Sequence, residues 1–327
     1  MSTSGSYSFT QTRNQLILDA FQLIGVYGIG RTIAPEDMTF ACSMLNKMVK
    51  AWGSQGLHLW EKNEATLFLQ PSVAVYTLGN ASGDAYWGDM VSSNVEISSL
   101  TNNQNLGDSS ITLNNASGML VGDNIGIVQN GFLIQWTTIT EIVGNVVSLT
   151  TPLTAAASAG NIVYDFTSRP YKPLRITSCR KLTGVDTGTT SNVTETWIKE
   201  MSYSEYFNMA SKTINGTPSA YMYNPNDTDG KFYVWQRPSD PSLRLQFSYE
   251  RIIQDLDNIS DNFDFPTEWL EPLTYQLAIR IGPAYGKDQK IMQVILPLAS
   301  QMLDALKDWD TEITGVHFQP DVGEWND

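Results

Sequence analysis

The stretch Asn14-Gln15-Leu16-Ile17-Leu18-Asp19-Ala20-Phe21-Gln22-Leu23-Ile24-Gly25 decides how the chain begins. From Gln11 to Ile24, Leu16, Ile17, Ala20, Phe21 and Ile24 share one face of a 3.6-residue period, and Gly25 stands where a C-terminal cap belongs. The spacing predicts a helix. A second begins near Pro35, with Glu36 and Asp37 favouring the positive end of its dipole. It carries Met38, Ala41, Cys42, Leu45, Met48, Val49 and Trp52 every three or four residues until Gly53 and Gly56 end it. Two helices joined by a Gly-rich link form a hairpin that cannot bury its apolar stripe alone.

The far end of the chain answers this need. Phe265-Pro266-Thr267-Glu268-Trp269 opens a segment whose Leu270, Leu273, Leu277 and Ile281 share a face, and Gly282-Pro283 closes it. Pro272 there demands a later start or a kink. A last helix, Asp288 to Trp309, has Ile291, Ile295, Leu298, Met302, Ala305 and Trp309 in heptad-like spacing despite Pro297, whereas Thr311 to Asp327 has no helical period.

Between the helix pairs the pattern is β. Leu57 to Leu69 and Val73 to Leu78, split by Gln70-Pro71-Ser72, read as a hairpin. From Asp84 to Phe166 the composition shifts to Ser, Thr, Asn, Gly and Val, and Lys and Arg all but vanish until Arg169. Candidate strands Ser110–Leu113, Asp123–Val128, Phe132–Ile142, Asn145–Thr150 and Asn161–Phe166, with turns at Gly122-Asp123, Asn130-Gly131 and Gly144-Asn145, suggest an inserted small barrel. Strands resume at Leu174–Leu182, Glu195–Met201, Lys231–Gln236 and Leu243–Ile252.

The expected fold class is therefore α+β. Terminal helix pairs (1–60 and 265–310) form one bundle with the chain ends close together, a mixed β domain spans 61–83 and 167–264, an all-β barrel is inserted at 84–166, and 311–327 is an extended tail.

With 20 Lys+Arg against 34 Asp+Glu the net charge is -14, the opposite of a DNA-gripping footprint, though an acidic wall would let a duplex slide past. Met1 to Phe9 lacks the basic start and apolar stretch of a signal peptide, and no apolar run approaches the ~20 residues of a membrane span. A soluble, unsecreted protein made in a reducing cytoplasm is expected, with no membrane contact and with Cys42 and Cys179 as buried thiols.

Chemistry is hard to find. Gly28-Ile29-Gly30 lies between helices and lacks a third glycine, and His58 and His317 are far apart, with no Cys or His pair at zinc spacing. Asp255, Asp257, Asp261 and Asp264 lack the glycine and terminal glutamate of an EF-hand loop and read as a solvated turn. Carboxylate pairs such as Asp19 with Glu36, or Glu195 with Glu200, exist in any chain with this many acids. No catalytic residue, metal or cofactor is expected, and the chain reads as no enzyme. The residues that stand out are Trp309, Val316, Phe318, Val322 and Trp325, apolar anchors at the edge of or within a polar tail too short for its own core. They read as partner-binding.

Asn14 to Ala20, Leu23-Ile24-Gly25-Val26, Leu45-Asn46-Lys47-Met48-Val49-Lys50-Ala51-Trp52 and Gln55-Gly56-Leu57-His58-Leu59-Trp60 resemble the N-terminal region of phage tail accessory factors, the head-to-tail adaptors of podovirus-type phages. Tyr76-Thr77-Leu78-Gly79, Phe265 to Trp269, Leu277-Ala278-Ile279-Arg280 and Ala284-Tyr285-Gly286 extend the likeness to the other end, and the insertion resembles a Gly-Asp-rich small barrel found in phage structural proteins. The resemblance implies a virion neck component forming a ring of twelve subunits under the portal protein. Its helices would lie portal-side, its β domains toward the tail hub, nozzle or fibres, and its C-terminal segment on the portal, with DNA passing through the lumen. Two other classes are a virion-associated cell-wall hydrolase, which needs a carboxylate pair in a cleft, and a glycan-binding tail module, which needs an exposed aromatic platform on the insertion.

Overall fold

The computed structural model describes residues 9–54, 62–79, 84–89, 95–184, 193–226, 228–251, 254–256 and 266–309. The chain forms two compact units, one of Met1–Trp60 with Ile253–Asp327, the other of Glu61–Ile252.

Helices α1 (Arg13–Ile24) and α2 (Pro35–Ser54) come first, followed by β1 (Lys62–Phe68), β2 (Val75–Leu78) and β3 (Tyr86–Asp89). Next come β4 (Val95–Ser99), β5 (Ser110–Thr112), β6 (Asn124–Val128), β7 (Ile134–Val143), β8 (Val146–Leu149) and β9 (Ile162–Phe166). Then follow β10 (Arg175–Thr183), β11 (Thr194–Trp197), β12 (Lys199–Glu200), the short helix α3 (Tyr203–Asn208), β13 (Asn215–Gly216), β14 (Ala220–Pro225), β15 (Gly230–Trp235), β16 (Arg237–Pro238) and β17 (Arg244–Glu250). The chain closes with α4 (Leu270–Ile281), α5 (Asp288–Lys290) and α6 (Leu296–Trp309).

In the helical unit the stripes from both ends of the chain meet. Leu16, Ile17, Ala20, Phe21 and Ile24 of α1, Leu45, Met48 and Trp52 of α2, and Leu273, Leu277 and Ile281 of α4 share one core with Ile291, Ile295 and Leu306. Each stripe excludes water only by facing the others. Gly25 ends α1 at φ 74°, a conformation costly to residues with a Cβ. The two prolines are absorbed differently. Pro272 falls in the first turn of α4, where its missing N–H has no intrahelical acceptor, and a 3₁₀ turn at Thr267–Trp269 leads in. Pro297 follows a π-helical turn, Ile291–Ile295, which takes up the break in the hydrogen-bond ladder.

The β unit is built on two sheets, one ordered β11-β10-β17-β1-β3 and one ordered β12-β14-β15-β2. Leu67, Trp87, Cys179, Leu245 and Phe247 of the first and Tyr76, Leu78, Tyr221, Phe232 and Val234 of the second fill a common core, as in a sandwich. The hairpin expected around Gln70-Pro71-Ser72 is not formed. β1 pairs with β17 and β3, while β2 pairs with β15, so the chain crosses from sheet to sheet there. Ser72 at φ 64°, its N–H donating to Pro238 O at 2.8 Å, fixes the crossing.

The inserted strands form a sheet ordered β4-β9-β6-β7-β8-β5 around their own core of Ile111, Leu113, Ile125, Ile127, Ile139, Val147 and Val163. It is an open sheet, not the expected closed barrel. Past the ends of β4 and β5 the two edges are joined by the Leu100–Leu113 bridge, with the Thr101 N–H donating to Thr112 O at 3.0 Å and the Asn114 N–H to Ser99 O at 2.9 Å, and not by a continuous ladder. β3, at the head of the stretch read as inserted, pairs with β1 and brings Ala85 and Trp87 into the sandwich core. The second face of the inserted sheet is not free. Tyr164, Phe166 and Trp136 pack on Phe68, which projects from β1 away from the sandwich core. Two glycines permit this approach: a Cβ on Gly88 would lie 2.9 Å from Phe166 Cβ, and one on Gly126 would lie 2.7 Å from the Trp136 ring.

Candidate interaction surfaces

In the β unit, the most aromatic exposed surface is organised by α3. Ser202 caps this six-residue helix reciprocally with Glu205: the Glu205 N–H donates to Ser202 Oγ at 3.2 Å, and the Ser202 N–H donates to Glu205 Oε2 at 2.7 Å. The Ser202 N–H first, then the Ser202 hydroxyl and the Lys199 ammonium, 3.6 Å away, hold the Glu205 carboxyl below its usual range. At the other end Lys212 Nζ donates to Phe207 O at 2.8 Å and Met209 O at 3.3 Å, closing the last turn.

So fixed, α3 presents Tyr203 and Phe207, 60% and 41% exposed, with ring centroids 4.4 Å apart. Phe207 meets Tyr233 edge-on at 5.8 Å, buried Tyr206 lies 5.0 Å from Tyr233, and the Lys212 ammonium sits 5.8 Å from the Phe207 ring. Burial first, then Tyr233, raises the Tyr206 phenol. Rings braced against one another and a cation lose little freedom on contact, as suits an anchor surface. Trp197 is exposed on edge strand β11. None of these aromatics was singled out from sequence, because exposure of an aromatic leaves no periodic signature on so short a helix.

On the inserted sheet, Phe132 and Leu133 are exposed at the β6–β7 hairpin tip, with Phe132 at φ 60°. Phe132 is a single ring and not the platform a glycan site on the insertion requires; the grouped rings belong to α3.

The sequence-selected anchors divide. Trp309 is the last residue of α6, while Val316, Phe318, Val322 and Trp325 lie outside the described residues, as do His58, His317, Asp257, Asp261 and Asp264. Asp255 is 2.8 Å from Lys50, and Glu195 is 3.5 Å from Arg180, which also meets Glu64 at 3.0 Å. Gly28-Ile29-Gly30 is a solvent-facing turn between α1 and α2. Cys179 is buried and Cys42 only partly so, and both are free thiols. Among the described residues, no group of three or more His, Cys, Asp or Glu is placed to hold a metal ion, and no helix is long and apolar enough to cross a membrane.

Comparison with curated proteins gives no match. Among solved structures, VP17, a capsid protein of bacteriophage P23-77, aligns at 15% identity over 62% of this chain and 78% of that chain. Its TM-score of 0.15 is too low to carry an argument. The family described as SU10 adaptor protein matches residues 133–316, a range that opens in the inserted sheet and runs through the α3 surface and α4 to α6. That range is more than half of the sequence, and the chain belongs to the SU10 adaptor family of phage proteins.

Proposed function

We propose that this chain is a structural, non-enzymatic subunit of a short-tailed phage virion, one of about twelve that form a ring between the portal protein and the tail hub. The family match over residues 133–316 is the observation that carries this reading. The composition supports it: a chain with net charge -14 has no basic footprint with which to grip DNA. The terminal helices and the tail with Val316, Phe318, Val322 and Trp325 face the portal in this reading, and the β unit faces the tail hub, nozzle or fibres.

Mass measurement of the purified chain with and without portal tests the proposal. Like-charged subunits repel until a template supplies contacts, so the chain alone is expected as a monomer and the mixture as a portal-bound ring. No association with portal would sink the reading, and a stable ring without portal at low salt would sink its template dependence.

A glycan-binding role is the second reading, favoured by the exposed Tyr203–Phe207 pair. Glycan-array binding that disappears in Tyr203→Ala/Phe207→Ala would establish it.

A further inference from the structure

Asp165 of β9 is wholly buried, and neither of its carboxyl oxygens has a hydrogen-bond donor. Alternation along the strand explains where it points. Tyr164 and Phe166 turn toward Phe68, so Asp165 shares the opposite face with Val163, toward the core of the inserted sheet. Its cross-strand partner on β4 is Glu96, on the same face. On the other side β6 places Ile125 opposite Asp165, and Asp123, two residues before Ile125, lies diagonally across. Asp123 is itself buried, with its Oδ2 accepting from the Leu120 N–H at 2.7 Å.

The titratable groups facing Asp165 are thus Asp123 and Glu96, and all three are acids. The chain offers no neutralising charge nearby in sequence: no Lys, Arg or His occurs between Lys62 and Arg169. No cation is among the groups that act on Asp165. Like charges directly across a strand pair destabilise it, and a buried ion without a partner costs several kcal/mol or changes its protonation. Asp123 is a hydrogen-bonding neighbour of Asp165, yet two carboxylates have acceptors only. What completes the bond is a proton.

We propose that the inserted sheet holds a proton between Asp165 and Asp123, and that this carboxylic acid–carboxylate pair is a lock which alkaline pH opens. Burial first, then the charge and hydrogen bond of Asp123 and the charge of Glu96, pushes the Asp165 carboxyl up to about 9. Burial raises Glu96 as well. The sign follows directly. The folded sheet keeps a proton that the unfolded chain releases above about pH 4. The stability it contributes is complete below that pH and is lost as pH rises toward about 9. Because β9 also carries Tyr164 and Phe166, opening the lock loosens the attachment to Phe68.

Two measurements on the full chain test the lock. In the ¹³C-carboxyl spectrum, the resonance absent from Asp165→Asn is expected to titrate above pH 7 in the native chain. A midpoint at or below pH 7 would overturn the proposal. In thermal or urea unfolding followed by near-UV circular dichroism, each pH unit between about 5 and 8 is expected to shift the equilibrium of the inserted sheet about tenfold toward unfolding. Asp165→Asn, whose amide donates to Asp123 without titrating, is expected to abolish that slope; an unchanged slope in the variant also counts against the lock. If the variant does not fold, the wild-type carboxyl titration alone decides, with resonances assigned through the backbone.

Discussion

The Tyr285 phenol donates to Asp37 Oδ1 at 2.7 Å, joining residues 248 apart in sequence. Tyr27 donates to the other oxygen at 2.5 Å, and both phenol rings meet Phe21 edge-on, at 5.3 Å for Tyr285 and 5.5 Å for Tyr27. One carboxylate thus ties the link after α1 and the start of α2 to the turn after α4. The bond from Tyr27, then that from Tyr285, holds the Asp37 carboxyl below its usual value.

Asp37→Ala should therefore lower the stability of the helical unit by about 1.5–3 kcal/mol at neutral pH, the range for hydrogen bonds to a charged group. A depressed folded pKa contributes stability present above the unfolded value near 4 and lost as pH falls through the folded one. The gap between wild type and Asp37→Ala should accordingly shrink below about pH 4. Urea melts at pH 7 and pH 3 check both statements, and a gap that widens in acid would contradict them.

Trp136 lies on Tyr86 with ring centroids 4.3 Å apart and planes 3° from parallel, and Gly126 leaves room for it. Gly126→Ala places a methyl against the indole and should cost about 1–3 kcal/mol through overpacking. Phe68→Ala, which removes the wholly buried ring that Tyr164 and Phe166 cover, should cost about 3–5 kcal/mol. Tryptophan fluorescence on unfolding should show the inserted sheet separating earlier in both variants; unchanged melts would mean that this aromatic contact contributes little.

Helices α1, α2 and α4 were legible because each buries the stripe expected of it, the stripes that hold Leu16, Leu45 and Leu273. On the last helix the register departs: Ile291 and Ile295 are buried as expected, but the π-helical turn they span shifts the face, so Ala299 and Leu306 turn inward while Leu298 and Ala305 are exposed. Strands β6 to β9 were legible because turn residues bracket short β-branched runs. Pairing was not. β1 and β2 look like a hairpin locally, yet their partners β17 and β15 lie more than 150 residues downstream, and no local pattern reports that. β14 and α3 were missed for a related reason: Tyr221-Met222-Tyr223 alternates too little, and six residues are too few to show a helical face. The Asp165 site was hidden because a buried acid and a solvated one look alike in sequence until register sets Glu96 opposite.

The limits of the inserted sheet carry a third prediction. Deleting 84–166 removes β3 from the edge of β1, and with it Trp87, which packs on Phe247 at 5.8 Å and Tyr249 at 5.9 Å. That deletion should abolish cooperative melting of the β unit. Deleting 95–166 and bridging the gap with a short Gly/Ser linker leaves the sandwich core whole but uncovers Phe68 and Tyr86. The second deletant should fold and self-associate, and Phe68→Ser in that background should restore a monomer. Calorimetry and sedimentation distinguish the two deletions, and equal melting of both would show β3 to be dispensable.

The tail gives the last prediction, which rests on the proposed adaptor role. Among the described residues the helical core ends at Leu306, one turn before the end of α6 at Trp309. Truncation after Trp309 removes none of the described residues of that core, and with the tail on the portal the melting temperature of the helical unit should change little. The removed segment holds Val316, Phe318, Val322 and Trp325 among Gly, Pro and acids, apolar residues suited to grooves of a partner. An aromatic anchor lost from an interface costs ~2 kcal/mol or more, roughly thirtyfold in affinity per subunit. Co-sedimentation with portal should thus be lost while melting is preserved. If the tail instead covered its own helices, melting would fall and portal binding would drop only in proportion. Normal portal binding by the truncated chain would remove these residues from the contact altogether.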